Sequence, residues 1–262
     1  MIRNRLFALA LACALPSSGA FAADAPQLRP SYDLTVDGAV TAAAVGGTLA
    51  LALLKDELAP VSCRWCEPGW VDGELARRVG WRDPKLASTF SDVLQVVIGG
   101  GVLGYTVLDG YRRGDREAGF ANALLVTEAT SLALLLDQVA KYAVGRSRPE
   151  LWLGRPSADS RGNVSFFSGH TTFAFAMAAS SSTLLLSQHA PGAVALSVVA
   201  FSAAGLTGYL RMAAEQHYLT DVLAGAVVGT LVGWAVPHFL HAPREGGAFA
   251  MRPMPGGISI AW

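Results

Sequence analysis

Charge is scarce in this chain. Lysine, arginine, aspartate and glutamate make up 15% of the 262 residues, and 20 basic side chains balance 20 acidic ones. A neutral chain without a basic stripe excludes a nucleic-acid binder. Cysteine is scarcer still: three in all, with Cys13 in the first apolar stretch and only Cys63 and Cys66, in "SCRWCEP", beyond it. One pair does not supply the four ligands of a structural zinc site, and no βαβ pattern accompanies it as a redox pair requires. In an exported chain this spacing closes a small disulfide loop, which is the reading taken for Cys63 and Cys66. Strand-like alternation is rare, and internal repeats and low-complexity tracts are missing, which leaves an all-α body.

What the chain has is apolar sequence, 52% of it. Residues 1–22 read as an export signal: Arg3 and Arg5, an apolar stretch from Leu6 to Leu15, and Ala20-Phe21-Ala22 as a cleavage site. An uncleaved anchor is the alternative. Six apolar segments follow, at about 38–54, 93–108, 119–140, 171–187, 192–210 and 218–240. The organisation expected is a first helix plus a polar insertion with the cysteine pair (23–92), a helical core (93–240) and a tail (241–262) whose "GGISIAW" suits a short strand. Gly225, Gly229 and Gly233 fall four apart on one helix face, the spacing of close helix packing in lipid.

The expected fold is therefore a six-helix, membrane-embedded bundle. Its segments are short for a bilayer of about 30 Å, and Glu128 and Asp137 stand inside the third, where acids face a protein interior or a functional cavity. Arg112, Arg113 and Arg116 mark the loop between segments two and three as cytoplasmic, so the next loop faces outward. A cleaved signal followed by six spans gives the opposite orientation. An uncleaved signal, a segment that does not span, or a soluble periplasmic bundle would each remove the conflict.

Few charges lie in the second half, and they cluster. Lys141 and Arg148-Pro149 close the third segment, Ser168-Gly169-His170 open the fourth, and Arg211, His217 and Asp221 run from the end of the fifth into the sixth. An antiparallel bundle brings these ends of helices 3 to 6 to one face. Lys141, Arg148 and Arg211 then offer three cations, two of them forks matched to phosphate oxygens. Ser168 and the amides of Gly169 and His170 add donors at a helix start. His217 and Asp221 are one turn apart, so the carboxylate is placed to accept from the imidazole and leave its other nitrogen as a nucleophile. His170 is placed to give a proton to a leaving oxygen. Taken singly, each residue has a plainer reading: Lys141 as an ion pair with Asp137, Arg148 as a solvated loop residue beside Arg146, Ser168 as a helix cap. His189, His238, His241, Trp65 and Trp70 have no matching context and read as structural.

The three clusters together resemble the type-2 phosphatidic acid phosphatase and vanadium haloperoxidase superfamily, over roughly residues 119–240. The matching residues are Lys141 through Arg148-Pro149, then Ser168-Gly169-His170, then Arg211, His217 and Asp221; Phe167 and Leu210 stand where the family usually has proline and serine. The resemblance implies phosphoryl transfer without metal or cofactor. His217 would attack phosphorus, Asp221 would support its imidazolium, and His170 would serve as acid and then as base. Lys141, Arg148, Ser168, Gly169 and Arg211 would hold the phosphate oxygens.

The expected function is an exported phosphatase acting on a lipid phosphomonoester or an isoprenyl pyrophosphate, with the membrane and a phosphorylated lipid as partners and no protein partner implied. A bacterial-type inner membrane with a periplasm-facing site suits it. A vanadium haloperoxidase, a soluble periplasmic acid phosphatase and a non-catalytic lipid-binding bundle are the alternatives.

Overall fold

The computed structural model describes residues 29–156, 162–242, 250–254 and 257–261, so the expected signal over 1–22 lies outside the described residues. The chain forms α1 (Leu34–Leu53), α2 (Lys55–Leu58), α3 (Trp70–Val79), α4 (Pro84–Arg112), α5 (Arg116–Val144), α6 (Pro149–Trp152), α7 (Gly169–Ser187), α8 (Ala193–Ala213) and α9 (Leu219–Ala235). A π-helical turn, Val236–Leu240, prolongs α9. Near the C-terminus β1 (Ala250–Met254) pairs antiparallel with β2 (Gly257–Ala261), the second of which is the expected short strand. Among the described residues six helices are long, and they match the six apolar segments.

The second segment is longer than expected. Asp83 caps α4 by accepting from the amide of Leu86, and Pro84 takes the first turn, where a missing N–H costs nothing. Residues 84–92, read as part of the polar insertion, are therefore helical, and the boundary at 92/93 falls inside a helix.

Helix α7 is the centre of the bundle and packs against α4, α5, α8 and α9. Its Ala174 and Met177 join Ile98, Val102, Leu125 and Val126 in the main core cluster. Three serines in succession, Ser180 to Ser182, are buried, and Ser180 and Ser181 each donate to the carbonyl four residues back at 2.7 Å. The other five long helices, α1, α4, α5, α8 and α9 with its π-turn, are each long and apolar enough to cross a membrane. Their outward faces carry large apolar side chains: Val96, Val194, Val199, Leu223, Val227 and Leu231 are all more than half exposed. Water offers no reason for such a surface; lipid does. This is a helical membrane protein.

The glycine stripe of α9 does what its spacing implies. A Cβ on Gly225, Gly229 or Gly233 would stand 2.8, 2.5 or 2.6 Å from the carbonyl oxygens of Ser168, Thr172 and Ala176 on α7. Backbone meets backbone there, with no flexible side chain to yield. Gly229→Leu is expected to destabilise the bundle by roughly 1–3 kcal/mol or more, read as a lower melting temperature in detergent.

Antiparallel packing gathers the end of α5, the start of α7, the end of α8 and the start of α9 at one end. Arg112, Arg113 and Arg116 sit at the other, where Arg113 pairs with Asp109 at 2.6 Å and Arg29 with Asp115 at 2.7 Å.

Candidate active site

The first cluster is shaped by a sharp helix stop. Gly145 ends α5 at φ 62°, a left-handed conformation suited to glycine, and its amide donates to the carbonyl of Lys141. The chain then runs extended through Arg146 to Arg148 until Pro149 opens α6. The disulfide loop clamps this stretch. Cys63 and Cys66 are bonded, and between them Arg64 donates to the carbonyls of Tyr142 and Ala143 at the α5 terminus. The carbonyl of Trp65 accepts from the Ser147 amide at 3.1 Å. The cysteine pair and Trp65, structural in the sequence reading, thus brace the segment that carries Arg148; Trp70 is 83% exposed.

Lys141 pairs with the buried Asp137 at 2.5 Å, so the plainer reading holds as far as it goes. The same ammonium also touches the start of α7: a Cβ on Gly169 would lie 2.9 Å from Nζ and 2.8 Å from Asp137 Oδ2. Glycine at 169 is what lets the lysine reach the helix N-terminus. Ser168 occupies the N-cap position of α7 without capping it through its side chain. Its hydroxyl instead accepts from Thr171 Oγ1 at 2.9 Å and keeps its own proton as a donor.

His170 Nε2 lies 2.8 Å from Asp92 Oδ1, on α4. Arg211, at the end of α8, is almost fully buried and stands 3.7 Å from the same Asp92 oxygen. It also donates to Ser91 Oγ at 3.1 Å and to Gln216 Oε1. Arg211 and Lys141 are within electrostatic reach of His170, and Arg211 and Arg148 within reach of His217. Arg148 is itself buried. The expected cations therefore surround the two histidines. Leu210, in place of the family's serine, is core, packed with Ala87, Ala213 and Ala214.

His217 is held differently from the expectation. Its Nδ1–H donates to the carbonyl of Ser165 at 2.8 Å, while Asp221 Oδ2 is 3.8 Å away, too far for a hydrogen bond. Asp221 is occupied elsewhere. It accepts from Ser165 Oγ at 2.6 Å, from the Tyr218 amide at 2.9 Å as part of a capping box, and from Arg146. The tautomer is fixed all the same, by a backbone carbonyl that Asp221 positions through Ser165. Nε2 keeps its lone pair. Burial, with Arg211 and Arg148 assisting against the nearby Asp221 carboxylate, holds the His217 imidazole down to about 3.

That value sets a stability test. An unfolded imidazole takes a proton near pH 6.5, the buried one only near 3, so the unfolded chain binds more protons between those values. The contribution of His217 is present in full above pH 6.5 and is lost as pH falls towards 3. Between pH 6.5 and 4.5 the wild-type melting temperature is expected to drop more steeply than that of His217→Gln.

Arg146 is the residue the sequence reading passed over. Only 1% exposed, it pairs with Asp72 at 2.7 Å and with Asp221, donates to Thr220 Oγ1 at 2.7 Å, and lies between the rings of Trp65 and Tyr218 at 3.8 and 4.3 Å. Asp92, Ser165 and Gln216 were missed as well. Asp92 carried the one legible signal, an acid at the head of an apolar run.

The same region is similar to known proteins. The family model described as PAP2 superfamily matches residues 120–245, which include all nine residues of the three clusters. Over 112 residues, 42% of the chain, the sequence is 37% identical to a lipid A 1-phosphatase of Porphyromonas gingivalis. The match takes in 22% of that protein, so the chain spans about a fifth of the length of the curated relative it matches. The crystal structure of a transmembrane PAP2-type phosphatidylglycerolphosphate phosphatase from Bacillus subtilis aligns over 79% of this chain and 90% of that one, with 23% identity and a TM-score of 0.41. With its motif residues assembled at one end of the bundle, the helical core over residues 120–245 belongs to the PAP2 superfamily.

Proposed function

We propose that this chain is a membrane phosphatase that removes phosphate from a lipid phosphomonoester, with His217 as nucleophile. The observation that carries the reading is the buried His217, its Nδ1 committed to the Ser165 carbonyl and its Nε2 left free, with Arg211 and Arg148 within electrostatic reach. In the first step the Nε2 lone pair forms a bond to phosphorus while the bond to the lipid oxygen breaks, and His170 gives that oxygen its proton. In the second, His170 takes a proton from water, whose oxygen attacks the phosphohistidine and releases phosphate and neutral His217. The cations, the Ser168 hydroxyl and the first amides of α7 meet the charge on the phosphoryl oxygens throughout. Asp92 orients His170, and Asp221 steadies His217 through Ser165 and by its charge at 3.8 Å.

An amphiphilic substrate suits the walls. A groove of about 460 Å³ begins at Asp92 and His170 and continues over Val96, Gly99 and Phe173, polar at the phosphate and apolar along a lipid-facing helix. A separate cleft of about 610 Å³, with Lys85, Ser88, Glu150, Arg155 and Gln216 among its lining, adjoins Arg211 through Gln216 and offers room for a polar headgroup. The Porphyromonas relative is named as a lipid A 1-phosphatase.

The orientation we propose places the site on the outer, oxidising side. The Cys63–Cys66 disulfide lies at the site's end and Arg112, Arg113 and Arg116 at the opposite end. That orientation keeps Arg29 inside and is incompatible with simple cleavage after Ala22.

The test is phosphate release by the detergent-purified protein from phosphatidate, isoprenyl monophosphate and pyrophosphate, and a small soluble phosphomonoester, with EDTA present. EDTA-resistant release that favours a lipid monoester supports the reading. Release confined to the soluble ester would make the chain a general phosphatase, and no release from any of them would refute it.

A further inference from the structure

A second polar cluster lies inside the bundle, far from the phosphate site. Glu128 on α5 is thirteen residues before Lys141, roughly 20 Å along the helix at 1.5 Å per residue. Around it stand Asp37, in the first turn of α1, and His241, just beyond the π-turn of α9. Their relative exposures are 2%, 7% and 4%. One ligand atom from each residue lies within 4.8 Å of the other two.

The polar groups here are not satisfied by one another. His241 Nδ1 faces the Ser31 carbonyl at 2.8 Å, which commits its proton there and turns Nε2 towards Glu128. Nε2 and Glu128 Oε2 are 3.7 Å apart, beyond hydrogen-bond range, and both are buried atoms with no hydrogen-bond partner. Among the described residues no lysine or arginine pairs with Asp37 or Glu128; His241 is the single basic group at either carboxylate. Even a protonated His241 would leave one buried negative charge uncompensated. A divalent cation with a neutral imidazole balances the two carboxylates fully.

We propose that Asp37, Glu128 and His241 bind a divalent transition-metal ion, of the zinc or manganese class, that ties α1 and the end of α9 to α5. Two ligands on one tetrahedral ion, at zinc-like bond lengths, stand about 3.4 Å apart, close to the 3.7 Å between Nε2 and Oε2. Ligation through Nε2 with Nδ1–H held by a backbone carbonyl is the usual orientation of a metal-bound histidine. An imidazole beside two carboxylates favours zinc or manganese over magnesium, which prefers an all-oxygen shell. The role is structural. The ion takes no part in phosphoryl transfer, and Glu128→Gln and His241→Gln retain that activity.

The experiment uses the full-length, tag-free protein in detergent, incubated with Zn²⁺ or Mn²⁺ alone, desalted and analysed for metal by mass spectrometry. Wild type is expected to hold about one equivalent, and Glu128→Gln and His241→Gln about tenfold less. On the wild type itself, stripping with 1,10-phenanthroline is expected to lower the melting temperature by several degrees, and adding the metal back to restore it. This second measurement stands even if both variants fail to fold. A wild-type content below about a tenth of an equivalent with both metals, equal content in folded variants and wild type, or a melting temperature indifferent to stripping would each overturn the proposal.

Discussion

His217→Ala is expected to lower phosphate release by roughly 10⁴-fold or more, with the loss in kcat and little change in KM. The substitution removes the atom that would bond to phosphorus, and the described geometry offers no substitute. His170, the other imidazole of the site, already has Nε2 on Asp92 at 2.8 Å. Substrate binding should persist, because Lys141, Arg148 and Arg211 are untouched. The fold should persist too: only the hydrogen bond to the Ser165 carbonyl is lost, and water entering the space can replace it. Steady-state rates over a range of lipid concentrations give the comparison, and a loss of less than about tenfold would show that phosphorus is attacked by something else.

Arg146→Met carries the largest expected cost in stability, about 3–5 kcal/mol, and inactivates the protein as well. The guanidinium is the sole ion-pair partner, among the described residues, of both Asp72 and the Asp221 oxygen it binds. Asp72 and Asp221 are 3% and 0% exposed, so both charges would be stranded out of water. Asp72 also accepts from the Thr220 amide at 3.0 Å, which carries the disturbance straight into the start of α9. Lysine is no remedy, since a single ammonium does not reproduce the planar fork between two carboxylates and two rings. By contrast Arg155→Ala, which removes the half-exposed partner of Glu215, should cost about 1 kcal/mol or less. Thermal unfolding of the three variants in one detergent distinguishes these effects. An Arg146→Met protein as stable as Arg155→Ala would contradict the brace.

What could be read from the sequence was whatever depends on helix ends. Lys141, Ser168, Arg211 and His217 are near termini of long apolar segments, and antiparallel packing makes termini meet whatever the details of the core. The stripe at Gly225, Gly229 and Gly233 was legible for a similar reason, because its period alone specifies a close contact. Partners that arrive from distant sequence were not legible. Asp92 reaches His170 from 78 residues away, and Asp72 reaches Arg146 from 74. Arg146 reads as one of two arginines in a loop until Trp65 and Tyr218 enclose it. The hydrogen-bond partner of His217 was misassigned for a related reason. The one-turn spacing to Asp221 is real, but spacing does not say that Ser165 and Arg146 have already taken the carboxylate. His241, bland in the sequence, gains meaning only when α1 and α5 bring Asp37 and Glu128 beside it.

The central claim is a covalent bond between phosphorus and His217 Nε2, and trapping it is the most direct test. The purified protein would be mixed with a radiolabelled lipid phosphomonoester, quenched in base within milliseconds to seconds, and digested for peptide mapping. The account predicts label that is stable to base, labile to acid and confined to the peptide containing His217, with none in His217→Ala. Label on another residue, or rapid phosphate release with no labelled protein at any time point, would contradict it.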